Sequence, residues 1–533
     1  MVPLPAAGTA RRIILAHGAC HGGWCWYKVA ALLCAAGHRV DAPDLGAAGQ
    51  LGLRDAPAFA DRARRLLDAV RALPDGERAV LVGHSFGGMS VALAAETFPE
   101  KVAAAVFVAA FLPDCTNPPS HPIDKPRPIF NLVWPEFLKK KLYQLSSPED
   151  YMLGKSLVRA SSLYVDDLRR RPAFRDDRYG AVRKVYVVVE NDMAIVQEHQ
   201  RWMVANAEVA EVRVMVAGDH MAMLSAPEEL AGHLTDVANT YISNILRTSP
   251  WHAHAQPLAK PAPSCRRRRR RPSSRQRPPA RRRRAAASSW CTARGHGGWC
   301  WYRVATLLRA AGHRVHAPDL AASGADARPL HDAPTFDDYS RPLLDAVRAL
   351  PDGERAVLVG HSFGGMSVAL AAETFPDKVA AAVFVTALMP DCPNPRPDVI
   401  QKLPLSDWMD CVTDEEHAPP SVLFGPEFMR RKLYQLSPEE DFTLSQSLVR
   451  VSSYYVGDMR RRPPFSEARY GAVRKVYVVC GQDQAIVEAY QRRMIAGCPV
   501  EEVREIAGAD HMAMFSAPVE LAGHLADVAN TYT

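Results

Sequence analysis

A chain of 533 residues is too long for one ordinary hydrophobic core, so two domains are expected. Hydrophobic residues make up 48% and charged residues 23%, the balance of a soluble globular protein, and no apolar run reaches the ~18–20 residues that span a bilayer. The net charge of +7 comes from twelve arginines between Arg266 and Arg284, so it says nothing about either folded domain and implies no nucleic-acid or membrane partner.

The opening MVPLPAAGTARR lacks the order of a secretory signal, which sets a cytoplasmic location as the expectation. The 11 cysteines are then expected to be reduced, and the absence of CxxC pairs argues against a zinc site.

In chain order, residues 11–16 form a short apolar run ending in His-Gly, which predicts a strand and a turn. Residues 26–36 have helical spacing and stop at Gly37, and residues 38–42 predict the next strand. An amphipathic helix over 60–73 is followed by a β-branched strand over 79–83, the sequence His84-Ser85-Phe86-Gly87-Gly88, and a helix over 89–98. Residues 102–109 and 184–189 are continuous apolar runs, as buried parallel strands require, and 212–216 predicts a further short strand. This alternation predicts an α/β doubly wound sheet, and the irregular stretch 112–178 predicts a helical cap inserted over one end of it.

The same pattern then repeats. WCWYKVAALLCAAGHRVDAPDL from Trp24 recurs from Trp299, LPDGERAVLVGHSFGGMSVALAAETFPEKVAAAVFV from Leu73 recurs almost unchanged from Leu350, and GDHMAMLSAP from Gly218 recurs from Ala509. These are duplicated domains: copy one over 1–246 and copy two over 296–533, with the second cap at 389–469. Ser85 pairs with Ser362 at an offset of 277 and His220 with His511 at 291, so copy one lacks 14 residues. The gap falls between Asp114 and Glu136, where copy two carries the longer stretch from Asp391 to Glu427.

The joint over 247–295 is Pro/Arg/Ala/Ser-rich and predicted to be disordered. Its residues Ala287-Ser288-Ser289-Trp290-Cys291-Thr292-Ala293-Arg294 stand where copy one has Arg12 to Ala19, without similarity. Shifted by one base, however, their codons admit RIILVHGA, one residue away from copy one. The joint thus reads as an out-of-frame translation, and copy two is expected to lack its first strand and the turn after it.

Gly83-His84-Ser85-Phe86-Gly87 fits G-x-S-x-G, the turn that exposes a nucleophilic serine between a strand and a helix. Such a serine needs a base and a carboxylate, in the order Ser, Asp, His. Asp192 follows the strand over 184–189 and His220 follows the strand over 212–216, both at strand ends where open α/β sheets build their sites. The predicted catalytic residues are therefore Ser85, Asp192 and His220, with Ser362, Asp483 and His511 in copy two. The oxyanion needs two backbone N–H groups, expected from Phe86 and Ala19 in copy one and from Phe363 in copy two.

HGACHGGWCWYK, APDL, VGHSFGGMS, KLYQLSSPED and DHMAM resemble the plant methylesterase family and its sister group, the hydroxynitrile lyases, over nearly all of both copies. The resemblance implies hydrolysis of methyl esters of small plant hormones (salicylate, jasmonate, indole-acetate), without a cofactor. It makes a small-molecule ester the expected partner, with a homodimer as the candidate assembly. It also implies that His17, Gly18 and Trp408 line the substrate site. In the lyases a lysine follows the catalytic histidine and a threonine sits in the oxyanion turn; Met221 and Gly18 stand there, which favours the esterase. The competing class is a hormone-binding protein without turnover.

Overall fold

The computed structural model describes residues 11–46, 56–124, 136–243, 287–291, 295–404 and 407–533. Copy one contributes β1 (Arg12–Ala16), β2 (Arg39–Asp41), β3 (Ala79–His84), β4 (Val102–Val108), β5 (Lys184–Val189) and β6 (Glu211–Met215). They form one parallel sheet in the order β2-β1-β3-β4-β5-β6. From β1 the chain steps outward to β2, then returns to the other side of β1 as β3. That reversal opens a crevice beyond the C-terminal ends of β1 and β3, where doubly wound sheets place ligands.

Side chains alternate across each strand, so the sheet feeds two cores. Ile13, Leu15, Val80, Val82 and Val106 pack with the helices Tyr27–Ala35 and Pro227–Ser243 on one face. Ile14, Leu81 and Phe107 pack with Phe59–Arg71, Gly87–Thr97 and Gln197–Asn206 on the other. β3 and β4 are buried on both faces along their whole length, which explains their unbroken apolar sequence.

Copy two repeats this architecture, and here one expectation is corrected: its first strand is present. β7 (Ala287–Cys291) lies between β8 (Arg314–His316) and β9 (Ala356–Ser362). Ala287 faces Ala356 and Arg314 just as Arg12 faces Ala79 and Arg39. The physical reason is that a parallel ladder is made by backbone N–H and C=O groups, which any non-proline residue supplies. β8 and β9 leave a row of such groups that must be satisfied, whatever side chains fill it. The sheet continues through β10 (Val379–Ala387), and residues 287–291 belong to copy two rather than to the joint. The remainder of the joint over 247–286, and the turn at 292–294, lie outside the described residues.

The cap of copy two also departs from the helical expectation. Besides the helices Glu439–Leu448 and Val456–Arg460 it carries an antiparallel hairpin of β11 (Val412–Asp414) and β12 (Ser421–Leu423), inside the stretch that copy one lacks. β13 (Lys475–Cys480) and β14 (Glu502–Ile506) complete the second sheet.

The copies pack on each other reciprocally. Tyr27–Ala35 of copy one meets Glu439–Leu448 of copy two, and the equivalent Tyr302–Ala310 meets Pro148–Leu157. Tyr27 and Tyr302, equivalent positions, lie close to each other across this face, each hydroxyl donating to an aspartate of its own copy, Asp150 and Asp441. Self-contact of equivalent residues marks a pseudo-two-fold axis, the geometry of an isologous dimer closed within one chain. The apolar core of copy one runs through this face into copy two without a break. Among the described side chains no two cysteines form a disulfide.

Candidate active site

Ser85 follows β3 with φ of +52°, a left-handed conformation that costs about 1–3 kcal/mol in a non-glycine residue. Its carbonyl accepts from Gly88 N (3.2 Å) and Phe111 N (3.1 Å), and its N–H donates to Val108 O at 3.3 Å. These bonds hold the strained turn from β4 and from the helix that follows. Gly87 is required for close approach, since a Cβ there would stand 2.4 Å from Ala16 O. Ser362 is held alike, with φ of +54°.

Asp192 follows β5 and is buried. Its Oδ1 accepts from the N–H groups of Ala194 (2.7 Å) and Ile195 (2.9 Å), which leaves Oδ2 to accept from His220 Nδ1 at 2.8 Å. With Nδ1 so protonated, Nε2 of His220 is the basic nitrogen. Copy two repeats the pair, with His511 Nδ1 2.7 Å from Asp483 Oδ2. There Thr386 Oγ1 also donates to Asp483 Oδ2, where copy one has Ala109.

Two buried residues to which the sequence assigns no role, His84 and Asp219, fix the histidine. His84, next to the serine, donates from Nε2 to the carbonyl of His220 at 2.8 Å, and their rings stand 4.7 Å apart. Asp219 accepts from Leu145 N, Ser146 N, Met221 N and Ser225 Oγ, tying the histidine loop to the cap. Burial pushes the pKa of His84 well below the usual range, so it acts as a neutral donor. No sequence spacing signals such partners, because both bond mainly to backbone.

The turn after β1 corrects another expectation. His17 is fully buried; its Nδ1 donates to Gly18 O at 2.8 Å and its Nε2 accepts from Leu45 N at 2.8 Å. Burial, with Arg62 beside it, lowers its pKa well below the usual range. Both nitrogens are committed to backbone, so His17 supports the turn instead of lining the substrate site. Gly18 lies against the nucleophile: a Cβ there would stand 2.9 Å from Ser85 Cβ and 3.2 Å from His84 Nδ1. Ala19 and Ser85 are only partly buried, while Phe86, which heads the helix Gly87–Thr97, is fully buried.

Trp408 is partly buried, stacked on Phe428 at 5.6 Å and edge-on to Tyr454 at 6.2 Å. Tyr454 in turn meets Phe363 edge-on at 5.5 Å, so the cap tryptophan reaches the serine turn through one intervening ring. Trp408 lines a cavity of about 670 Å³ with Tyr454, Val422 and Pro419; neither Ser362 nor His511 lines it. Among the described residues no cluster of His, Cys, Asp and Glu could hold a metal ion, and no helix is long and apolar enough to cross a membrane.

A strained serine between a parallel strand and a helix, with a buried His–Asp pair at the ends of later strands, defines a serine hydrolase of the α/β type. The chain belongs to the alpha/beta hydrolase family, matched over residues 13–233 and 293–524, and within it to the plant methylesterases. Methylesterase 3 of Arabidopsis thaliana is 48% identical over 245 residues, 44% of this chain and 93% of that protein. Salicylic acid-binding protein 2 of Nicotiana tabacum is 43% identical over 245 residues, 44% of this chain and 94% of that protein. Among solved structures, polyneuridine aldehyde esterase is 36% identical, covering 46% of this chain and 99% of that one at a TM-score of 0.45. The chain is a serine ester hydrolase.

Proposed function

We propose that the protein hydrolyses methyl esters of small plant-hormone acids, such as methyl salicylate, methyl jasmonate and methyl indole-acetate, and that copy one is the principal catalyst. Ser85 Oγ attacks the ester carbonyl while His220 Nε2 takes its proton, and Asp192 stabilises the imidazolium. The N–H groups of Ala19 and Phe86 receive the oxyanion. The alkoxide leaves as methanol with the proton from His220, and water then releases the acid by the same path. The 2.8 Å bond between His220 and the buried Asp192 carries this reading, because it fixes the tautomer that makes Nε2 the base. The buried Met221 offers no ammonium for a leaving cyanide, which supports the esterase over the lyase.

The shorter cap of copy one favours a looser acyl specificity, with comparable turnover of small and bulky methyl esters. Trp408 is assigned to the acyl wall of copy two. The test is p-nitrophenyl acetate and methyl-ester hydrolysis by the full chain, by Ser85→Ala, by Ser362→Ala and by the double variant. Loss of most activity in Ser85→Ala supports the reading. Tight binding of the free acids by the full chain without turnover would make the protein a receptor instead.

A further inference from the structure

Arg62 sits in the helix Phe59–Arg71, fully buried, and among the described residues no carboxylate lies within 4.0 Å of it. A buried guanidinium without a counter-ion is expensive and needs an alternative use of its donors. Here Nη2 donates to the carbonyls of Gly18 at 3.0 Å and His17 at 3.3 Å, and Nη1 donates to Gly46 O at 3.1 Å. Its flat face lies 5.3 Å from the centre of the Phe86 ring. One side chain thus touches both segments that supply the oxyanion donors.

The consequence follows from peptide geometry. In a trans peptide the C=O and N–H point in opposite directions. The Gly18 carbonyl belongs to the same peptide as the Ala19 N–H, and it is gripped from one side by Arg62 Nη2 and His17 Nδ1. Fixing that carbonyl aims the Ala19 N–H the opposite way. The guanidinium also places a positive charge behind the turn, in a water-free setting where a preorganised charge acts strongly on a developing oxyanion. Burial lowers the Arg62 pKa only to about 10, so the charge persists at neutral pH. Copy two carries Tyr339 at this position, so it lacks the clamp.

We propose that Arg62 is a positioning residue of copy one, which aims the Ala19 N–H at the oxyanion and contributes to catalysis without touching substrate. This rests on Ser85 being the nucleophile.

The test uses the full chain carrying Ser362→Ala, so that only copy one is read. Arg62→Met and Arg62→Tyr are expected to lower kcat by roughly 10–10²-fold, the scale of a small misplacement at a catalytic centre, with KM within twofold. The affinity for a trifluoromethyl ketone, whose serine adduct places an oxyanion in the hole, should fall by the same factor, while product-acid binding is kept. Arg62→Lys, which keeps the charge but not the fork, should recover part of the loss. The proposal is overturned if folded Arg62→Met keeps kcat within twofold, or if kcat, KM and product binding decay together. Failure of Met, Tyr and Lys variants alike to fold also overturns it, since the residue would then be purely structural. Activity that survives Ser85→Ala with Ser362→Ala would instead remove the underlying assignment of the nucleophile.

Discussion

Gly18→Ala, placed in a Ser362→Ala chain so that copy one alone is read, probes the oxyanion turn most directly. The added methyl would stand 2.9 Å from Ser85 Cβ, 3.2 Å from His84 Nδ1 and 3.4 Å from His84 O. Ordinary carbon contacts start at about 3.5 Å, so about half an ångström must be found. Ser85 cannot give it easily, because its strained backbone is held by three hydrogen bonds from β4 and the following helix. The turn therefore retreats, against the grip of His17 and Arg62, and carries the Ala19 N–H away from the nucleophile. Loss of one oxyanion donor costs ~10²–10³ in kcat, or about 2.7–4 kcal/mol of barrier.

Steady-state hydrolysis of p-nitrophenyl acetate should show that loss in kcat with KM little changed. Thermal unfolding should show a fall in Tm as well, because the methyl meets both Ser85 and His84 at a buried position. A kcat within threefold of the parent would refute the reasoning. Copy two supplies the converse. In the sequence alignment of the copies Ala293 stands opposite Gly18, and Ala293→Gly in a Ser85→Ala chain is expected to raise the remaining activity.

Three further outcomes are expected. Asp192→Asn keeps the shape of the side chain but removes the acceptor that sets the His220 tautomer; kcat of copy one should fall ~10⁴-fold, and a loss below tenfold would sink the base assignment. Burial holds His21 neutral with its pKa at about 4, and it holds His17 and His84 well below the usual range. Unfolded, each takes a proton near pH 6.5, so the unfolded state binds more protons below that value and stability falls as pH drops from about 6.5 toward 4. Each histidine adds a slope of up to ~1.4 kcal/mol per pH unit; Tm should be level from pH 8 to 7 and decline from 6.5 to 5, less steeply in His21→Gln. Because the isologous face is already filled within the chain, sedimentation should give one chain per particle, and a concentration-dependent dimer of the full chain would contradict this.

The parts of the fold that the sequence shows are those written in side-chain character. β3, β4 and β5 are unbroken apolar runs because both faces are covered, and Ser85, Asp192 and His220 follow strands, where the topology gathers them. Features that depend on backbone or on distant partners are not written this way. β7 exists because β8 and β9 offer a slot for any backbone, so its serines and tryptophan gave no apolar signal. Arg62 lies 44 residues from the Gly18 carbonyl it holds, and His84 lies 136 from that of His220. The pattern Phe59–Arg71 shows only an arginine on a helix, and nothing marks it as turned inward. The family resemblance implies a substrate contact for His17, whereas both of its ring nitrogens bond to backbone and brace the turn.

What separates the two copies is therefore narrower than a missing strand. Both sheets close in the same register, both serines are strained to the same degree, and both His–Asp pairs are made. Copy two even adds the Thr386 hydroxyl to Asp483, a bond that lowers the cost of burying the carboxylate but shares the oxygen that His511 uses. Among the described residues the difference nearest the serine turn is Arg62 in copy one against Tyr339 in copy two. A site that keeps its nucleophile and base but loses an aimed oxyanion donor still binds an ester or its acid, because ground-state binding does not use that donor. The transition state alone is penalised. Behind its serine turn copy one thus holds a buried guanidinium on the Gly18 carbonyl, where copy two holds the aromatic ring of Tyr339 packed on Phe363.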